Sequence, residues 1–354
     1  MIRILGICAL ALGVSMAGMS AHADTIRLRI GAGHPANATW TSAMRNYFEP
    51  EVAKRIAAET QDKIEWVEAY GGTVCKLGEC LEAVESGLLD VGDVESIFEP
   101  AKLRANNFSL FVPFSTPDPK LNAGVIQQVY DKVPELKTML VSKYKQVFLG
   151  AGVIGDYGLL TTFPWKHMSE LAGHKIAAAG PNIPWIAPTG AVPVQAVLPE
   201  VYTSLQTGVY EGVVMFPDAV ISFRLNEVAK HFTQADFGTV ASPLLTINKG
   251  TWDRLSPKAQ KIFAEVGADW ARHLGELTAK LQDEALAKMK ASGVTVRPLT
   301  PEERREWASK VANLPKERYA EVKAAGQPAD AIYVYIDLLE KAGYKFPRDW
   351  KAER

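Results

Sequence analysis

Two segments of the chain repeat one pattern, and this repeat constrains the fold more than any other feature of the sequence. ECLEAVESGLLDVGDV (79–94) and EVYTSLQTGVYEGVVM (200–215) align without a gap. In each segment a predicted helix ends at a glycine, Gly87 or Gly208, and an acidic residue begins the following strand. Helix–glycine–strand units occur in any α/β protein, so the repeat alone does not decide the architecture. One unit in each half of the chain fits two similar α/β lobes that face a cleft.

The predicted elements around the first unit alternate between strand and helix. TIRLRIGAG, KIEWVEAYGG and LLDVGDV are predicted strands, with the helices TWTSAMRNYFEPEVAKRIAAET and CLEAVESGLL between them. This β-α-β-α-β order predicts a parallel sheet with crossover helices. A similar order returns after residue 145, and long amphipathic helices follow from residue 257.

The first 23 residues, MIRILGICALALGVSMAGMSAHA, predict a secretory signal peptide that is cleaved before Asp24. Their apolar run is shorter than the roughly 20 residues that a spanning helix needs, and no later stretch is long and apolar enough for one. We therefore expect a periplasmic protein without stable membrane insertion. Cleavage removes one charge, that of Arg3, so the formal net charge goes from −1 to about −2. No basic face indicates a nucleic-acid partner.

Export leaves two cysteines, Cys75 and Cys80, in an oxidising compartment. Two thiols cannot form a closed zinc site, which needs four ligands, and their spacing is not that of a C-x-x-C redox motif. The sequence therefore predicts a local disulfide between them.

Motifs for catalysis or cofactor binding are weak in this sequence. GAGHPA (31–36) superficially matches a dinucleotide-binding turn, but Pro35 removes a backbone N–H where a phosphate needs donors. No G-x-S-x-G, P-loop or H-E-x-x-H motif is present. The six histidines show no metal-ligand spacing, and His34 stands out only because it ends a strand. We expect no cofactor, no metal site and no catalysis.

Several ordered segments resemble one family. LPEVYTSLQTGVYEGVV is similar to the "E-V-Y-x-A-L-Q-x-G-x-x-D-G" signature of TRAP-transporter solute-binding proteins of the DctP type, and AYGGTVCKLGECLEAVESGLLDVG, LFVPF, ELAGHKI and LTINKGTWDRLSP resemble further elements of that family. The resemblance implies an α/β, bilobal periplasmic solute-binding protein, with two lobes around a cleft, crossing strands and a long connecting helix. It also implies that the lobes close over a small organic acid and deliver it to the permease subunits of a TRAP importer.

The expected organisation follows from this resemblance. After the signal peptide (1–23), lobe I comprises 24–153 plus about 241–280, and lobe II comprises 154–240 plus about 281–354. Two other functions stay open on the same scaffold. One is an exported enzyme, and the other is a ligand-binding partner of a sensor kinase.

The family's polar ligand anchors are replaced in this sequence. The arginine of its "G-x-K-i-R" element falls on Ala177, and the asparagine of "D-G-x-E-N" falls on Met215. A basic position that follows an "E-S" pair in some relatives falls on Phe98, whereas Glu95 and Ser96 keep the pair. The resemblance therefore predicts the fold and the role more firmly than it predicts the ligand.

Two explanations fit these replacements. The cleft binds a relatively apolar or aromatic acid, with Trp185 as its principal wall, or a basic residue elsewhere supplies the missing charge. Candidates for the second explanation are Arg104, Lys175 and Arg224. The residues that we expect to contact the ligand are Asn37, Tyr70, Glu95, Phe98, Tyr157, Ala177, Asn182, Trp185, Met215 and Phe216.

Overall fold

The computed structural model describes residues 25–60 and 62–352. The predicted signal peptide, residues 1–23, lies outside the described residues. Within the described part of the chain, no helix combines the length and the apolar character that crossing a membrane requires.

The strands form two separate sheets. The first has the order β2-β1-β3-β10-β4, and the second has the order β11-β9-β5-β8-β6-β7. The strands are β1 (Thr25–Gly31), β2 (Lys63–Ala69), β3 (Val91–Glu95), β4 (Gln146–Ile154), β5 (Gly158–Thr161), β6 (Lys175–Ala178), β7 (Val192–Gln195), β8 (Gly212–Met215), β9 (His231–Gln234), β10 (Val240–Asn248) and β11 (Thr295–Pro298).

Helices cover both sheets, and the first two form one continuous helix through a π-helical turn at Met44–Phe48. The helices are α1 (Thr39–Ala43), α2 (Glu49–Glu59), α3 (Cys80–Glu85), α4 (Pro119–Lys132), α5 (Glu135–Tyr144), α6 (Ile183–Ile186), α7 (Val201–Gln206), α8 (Pro217–Ser222), α9 (Lys249–Arg254), α10 (Pro257–Ala291), α11 (Pro301–Lys310), α12 (Leu314–Ala324) and α13 (Ala331–Lys341).

The first sheet is mixed, whereas the sequence predicted a parallel one. β1 pairs in parallel with β2 and β3, as the β-α-β-α-β order requires. β10 then runs antiparallel between β3 and β4. The difference arises because β10 returns from the second lobe, so the direction of this strand is set by where the chain re-enters the sheet.

The repeated unit has the same structure in both lobes. Gly87 follows α3 with φ of 78°, and Gly208 follows α7 with φ of 72°, a region that glycine enters without steric cost. The acidic residue after each glycine then binds the neighbouring parallel strand. The Asp90 carboxylate accepts from the backbone N–H of Arg29 (2.8 Å), and its own N–H donates to the Arg29 carbonyl.

Glu211 repeats this arrangement in the second sheet. Its carboxylate accepts from the backbone N–H of Lys175 (3.3 Å), and its N–H donates to the Lys175 carbonyl at 2.8 Å. The equivalence of the two units therefore extends from the sequence to the hydrogen bonds that start each strand pair.

Two short connections and one helix join the lobes. The chain passes from the end of β4 at Ile154 to the start of β5 at Gly158, and it returns between the end of β9 at Gln234 and the start of β10 at Val240. Helix α10, with 35 residues, is about 50 Å long. It packs on β4 of the first sheet and leads into β11 of the second. The predicted bilobal fold with crossing strands and a long connecting helix is thus observed.

The last helix, α13, packs on α4, where the Tyr335 hydroxyl donates to Asn122 Oδ1 at 2.9 Å and the Tyr335 ring lies 5.5 Å from that of Phe108. The strongly amphipathic α13 buries its apolar face there. The residue bounds given for the two lobes stay a prediction.

The predicted disulfide is present between Cys75 and Cys80. It ties the glycine-rich turn after β2 to the first residue of α3, and both cysteines are buried. The bond therefore fixes a local turn in the first lobe.

Trp185 is a core residue, and its expected role as the principal ligand wall is corrected here. Its side chain has 0% exposure, and its Nε1 donates to the Leu110 carbonyl at 3.1 Å. Its ring lies 5.5 Å from the rings of both Tyr157 and Phe237. Its own carbonyl accepts from Trp307 Nε1 at 2.8 Å. Pro184 precedes Trp185 in the first turn of the short helix α6, where a proline is compatible with the helix, and the indole points into this aromatic cluster and away from solvent.

Replacing Trp185 with alanine is expected to lower the free energy of unfolding by about 3–5 kcal/mol, because it leaves a large cavity in the core. Trp185→Phe keeps most of the volume and should cost less. Urea unfolding of both variants, without ligand, measures the difference. An alanine variant as stable as the wild type would show that Trp185 does not support the core.

Candidate functional site

A cleft between the two sheets holds about 540 Å³ of space between its walls, including open solvent at its mouth. Both lobes contribute to its walls. The lining residues are His34, Trp40, Glu95, Ile97, Phe98, Ile154, Tyr157, Ala178, Ala179, Ala196, Leu198, Val201, Val213, Val214, Met215, Phe216 and Ser242.

The carboxyl ends of parallel strands place the lining residues together. Glu95 is the last residue of β3, Ala178 is the last of β6, and Met215 is the last of β8. Open α/β sheets bind ligands at this edge. The cleft therefore lies where the sheet topology predicts a ligand-binding site.

Aromatic rings form much of the cleft wall. The rings of His34 and Trp40 are 4.9 Å apart and nearly perpendicular, and those of Tyr157 and Phe216 are 5.1 Å apart in the same arrangement. Phe216 also lies 6.1 Å from Trp40, and Phe98 lies 6.1 Å from His34. These five rings present edges and faces to one space, which suits an apolar or aromatic ligand.

Glu95 is the buried acid of the cleft. One carboxylate oxygen accepts a short hydrogen bond from the Ser242 hydroxyl, and the other has no partner among the described residues. Burial raises the pKa of Glu95 to about 7, and the bond from Ser242 acts in the opposite direction. Near neutral pH the group therefore passes between a neutral acid and an anion.

Burial also shifts the pKa values of other titratable groups beside the cleft. Burial raises the pKa of Asp218 to about 6, and this carboxylate accepts a hydrogen bond from the Thr39 hydroxyl at 2.6 Å. The pKa of Asp93 is raised by burial and by the neighbouring Glu95 charge. Burial lowers the pKa of His34 to about 4, so this imidazole is neutral at physiological pH.

No lysine or arginine is among the described residues that line this cleft. A ligand carboxylate inside it would thus meet buried acids and a neutral histidine, without a cation to compensate its lost hydration. Nor do the described residues contain a group of three or more His, Cys, Asp or Glu side chains arranged to hold a metal ion.

Half of the sequence-predicted site residues line the cleft. These are Glu95, Phe98, Tyr157, Met215 and Phe216. Tyr157 is buried, and burial raises the pKa of its hydroxyl well above the usual value.

The other candidates lie elsewhere. Ala177 is fully buried within β6, and its neighbour Ala178 takes the lining position because side chains alternate across a strand. Asn182 is fully buried, and neither its Oδ1 nor its Nδ2 has a hydrogen-bond partner among the described residues. Asn37 is exposed on the surface. The Tyr70 hydroxyl donates a short hydrogen bond to Glu49, away from the cleft.

Sequence reasoning missed several walls of the cleft. Trp40 lies in the first turn of α1, just after the end of β1, which is a position that a strand-to-helix junction brings to the cleft edge. Ser242 lies within β10, and its contact with Glu95 joins residues 147 positions apart. The sequence offers no local signal for the contact between Ser242 and Glu95.

The three basic residues considered as substitutes for the family arginine have different positions. Lys175 is exposed at the start of β6. Arg224 is also exposed, and its Nε lies 2.8 Å from Glu227. Arg104 lines a second cavity, which shares Ile97 and Phe98 with the cleft. Of the three, Arg104 is thus the one beside the cleft.

Comparisons with known proteins agree with this geometry. A profile of the DctP family, described as bacterial extracellular solute-binding protein, family 7, matches residues 31–322. The C4-dicarboxylate-binding periplasmic protein DctP of Rhodobacter capsulatus is 33% identical over 119 residues, covering 33% of this chain and 35% of that protein. The chain covers between 35% and 56% of the length of the curated relatives that it matches.

Solved structures with low sequence identity share the fold. A marine metagenome TRAP solute-binding protein, described as specific for aromatic acid ligands and crystallised with 3-hydroxybenzoate, has a TM-score of 0.78 at 19% identity, over 90% of this chain and 99% of that one. A TRAP solute-binding protein of Bordetella bronchiseptica with bound mandelate has a TM-score of 0.74 at 21% identity, over 90% and 99% of the chains.

The family match covers most of the chain, and the predicted resemblance is confirmed. The family consists of solute-binding proteins, which excludes the enzyme alternative. The chain belongs to the DctP family of extracellular solute-binding proteins of TRAP transporters, and it is a binding protein, not an enzyme.

Proposed function

We propose that this protein captures a small organic acid with an apolar, aromatic body and delivers it to the membrane permease subunits of a TRAP importer. The observation that carries the proposal is a cleft walled by five rings and lined by no lysine or arginine among the described residues. The shared fold with proteins that bind 3-hydroxybenzoate and mandelate supports the same ligand class.

The proposal includes export by the segment 1–23. Its apolar run and small-x-small ending suit a cleavable signal peptide, and the Rhodobacter capsulatus relative is described as periplasmic. Delivery to a permease, and not to a sensor kinase, follows the family role. Uptake of labelled ligand into cells that carry the permease subunits, with and without this protein, distinguishes the two roles.

The energetics of the cleft favour an aromatic body over a small polar acid. Burial of one aromatic side chain contributes roughly 1.5–3 kcal/mol, and a ligand ring buried among Phe98, Tyr157 and Phe216 gains a comparable transfer free energy. A small dicarboxylate has no such surface to bury. It also loses hydration at both charged ends, with no cation in the cleft lining to compensate.

Aromatic monocarboxylates are expected to raise the melting temperature of the purified protein, whereas succinate and galacturonate are not. A ligand present at 100 times its Kd stabilises the folded state by roughly 2.7 kcal/mol. A thermal-shift panel of 3-hydroxybenzoate, mandelate and 3-phenylpropionate against succinate and galacturonate measures the difference. Stabilisation by the second group alone would contradict the proposal.

Phe98→Ala should weaken binding of the best aromatic acid at least tenfold, or about 1.4 kcal/mol, because it removes a half-buried cleft ring. The matched control is Phe163→Ala, since Phe163 is also half-buried but stacks on His174 and is not among the cleft-lining residues. Isothermal titration calorimetry gives both values. Equal affinities for the two variants would show that Phe98 is not part of the binding wall.

Glu95 should make the stability of the ligand-free protein depend on pH. Its pKa in the folded state, about 7, exceeds the unfolded value of about 4.3. Its contribution is therefore fully present below the unfolded pKa and is lost as pH rises through 7. Between pH 6 and pH 8 the wild type should lose roughly 1 kcal/mol relative to Glu95→Gln.

Urea unfolding at the two pH values tests this dependence. Asp283→Asn is the matched control, because Asp283 is an exposed acid on α10, and it should follow the wild type. A Glu95→Gln variant with the same pH dependence as the wild type would show that this carboxyl ionises at its ordinary pKa.

A further inference from the structure

A second cavity adjoins the cleft and shares a wall with it. Ile97, Phe98 and Ala196 line both spaces. The second cavity has an empty volume of about 1010 Å³, including open solvent. The two spaces therefore lie side by side, with these three side chains between them.

The second cavity differs from the cleft in its charge. Arg104 and Arg318 line it together with one acid, Glu321. Arg104 Nη1 lies 3.5 Å from Glu321, and Arg318 donates a shorter bond to the same carboxylate. Two guanidinium groups and one carboxylate leave a net charge of about +1. Their side chains are 32% and 27% exposed, so they are half-shielded from solvent.

The two arginines keep donors for a ligand. In the described chain, the hydrogen bonds of Arg104 involve Nε, which donates to the Pro100 carbonyl at 3.2 Å, and Nη1. Arg318 donates through Nη1. Each guanidinium carries five N–H groups in a fixed fork, a geometry that matches a carboxylate. Nη2 of Arg104, and Nε and Nη2 of Arg318, thus remain for a charged acceptor.

Asn107 also lines the cavity and leaves one acceptor without a partner. It is 1% exposed, its Nδ2 donates to the Ser96 carbonyl at 2.8 Å, and its Oδ1 has no hydrogen-bond partner among the described residues. An ionised carboxylate has no hydrogen to donate to this oxygen, so the ligand's charge is assigned to the arginines alone.

We infer that the ligand's carboxylate is bound by Arg104 and Arg318 in the second cavity while its ring occupies the cleft. This inference rests on the proposed function, because it assumes an aromatic acid. A ligand placed in this way has to extend past Ile97, Phe98 and Ala196, so the substrate class is an arylalkanoic acid, with saturated carbons between ring and carboxylate. The cation that the family places on the strand at position 177 is thus supplied from a 3₁₀ helix (Arg104–Asn107) and from α12.

The test measures affinity for benzoate, phenylacetate, 3-phenylpropionate and 4-phenylbutyrate by isothermal titration calorimetry. 3-Phenylpropionamide, which has the same ring and chain but no charge, serves as the neutral analogue of 3-phenylpropionate. The variants are Arg104→Gln and Arg318→Gln. The control is Arg305→Gln, which removes an equal charge from an exposed arginine of α11 paired with Glu302.

In the wild type, 3-phenylpropionate should bind at least tenfold more tightly than benzoate. Each cavity variant should weaken 3-phenylpropionate at least tenfold and change 3-phenylpropionamide by less than twofold, and Arg305→Gln should change neither. Because the amide fills the same cleft, its unchanged affinity excludes a general loss of structure.

Two results would overturn the inference, and only the second would also contradict the proposed function. If aromatic acids bind and neither cavity variant weakens them, the carboxylate lies elsewhere, and the proposed aromatic ligand survives. If none of the aromatic acids binds the wild type, the proposed function fails and this inference fails with it.

Discussion

The long helix α10 rests on the first sheet through a contact between two glycines. A side-chain carbon added at Gly150 of β4 would lie 2.5 Å from the Gly267 carbonyl of α10, and one added at Gly267 would lie 2.6 Å from the Leu149 carbonyl. The absence of side chains at both positions lets the long helix lie directly on the strand. β4 leads into β5 and α10 leads into β11, so both elements that this contact joins lead from the first sheet to the second.

The cleft that results combines apolar walls with buried acids. Burial of Glu95, Asp93 and Asp218 raises the pKa of each, and so the cleft carries less negative charge than its composition suggests. His34 is kept neutral by the same burial. With rings on both sides, such a space favours the apolar part of a solute. The charged part is better placed beside the arginines of the neighbouring cavity.

The sequence predicted the fold well because its signals are local. A glycine after each helix, an acid before each strand and the alternation of elements are all visible within sixteen residues, and the structure keeps them in both lobes. The antiparallel β10 was not predicted, since its direction depends on a chain that returns from the other lobe.

The site was harder to predict because its walls come from distant parts of the chain. Transfer from the family pattern placed Ala177 in the cleft, yet the pleat of β6 gives that position to Ala178. Trp185 was expected to be a wall because NIPWIAP follows the strand that carries position 177, but its partners Leu110 and Trp307 lie 75 and 122 residues away and hold it in the core. Arg104 was identified only as one of three alternatives, because nothing local distinguishes a cavity arginine from an exposed one.

The most direct measurement is a crystal structure of the protein with bound 3-phenylpropionate. The account predicts the ring between Phe98, Tyr157 and Phe216, with the carboxylate within hydrogen-bond distance of Arg104 or Arg318. A ring outside the cleft, or a carboxylate bound beside Glu95 with both arginines unoccupied, would contradict it.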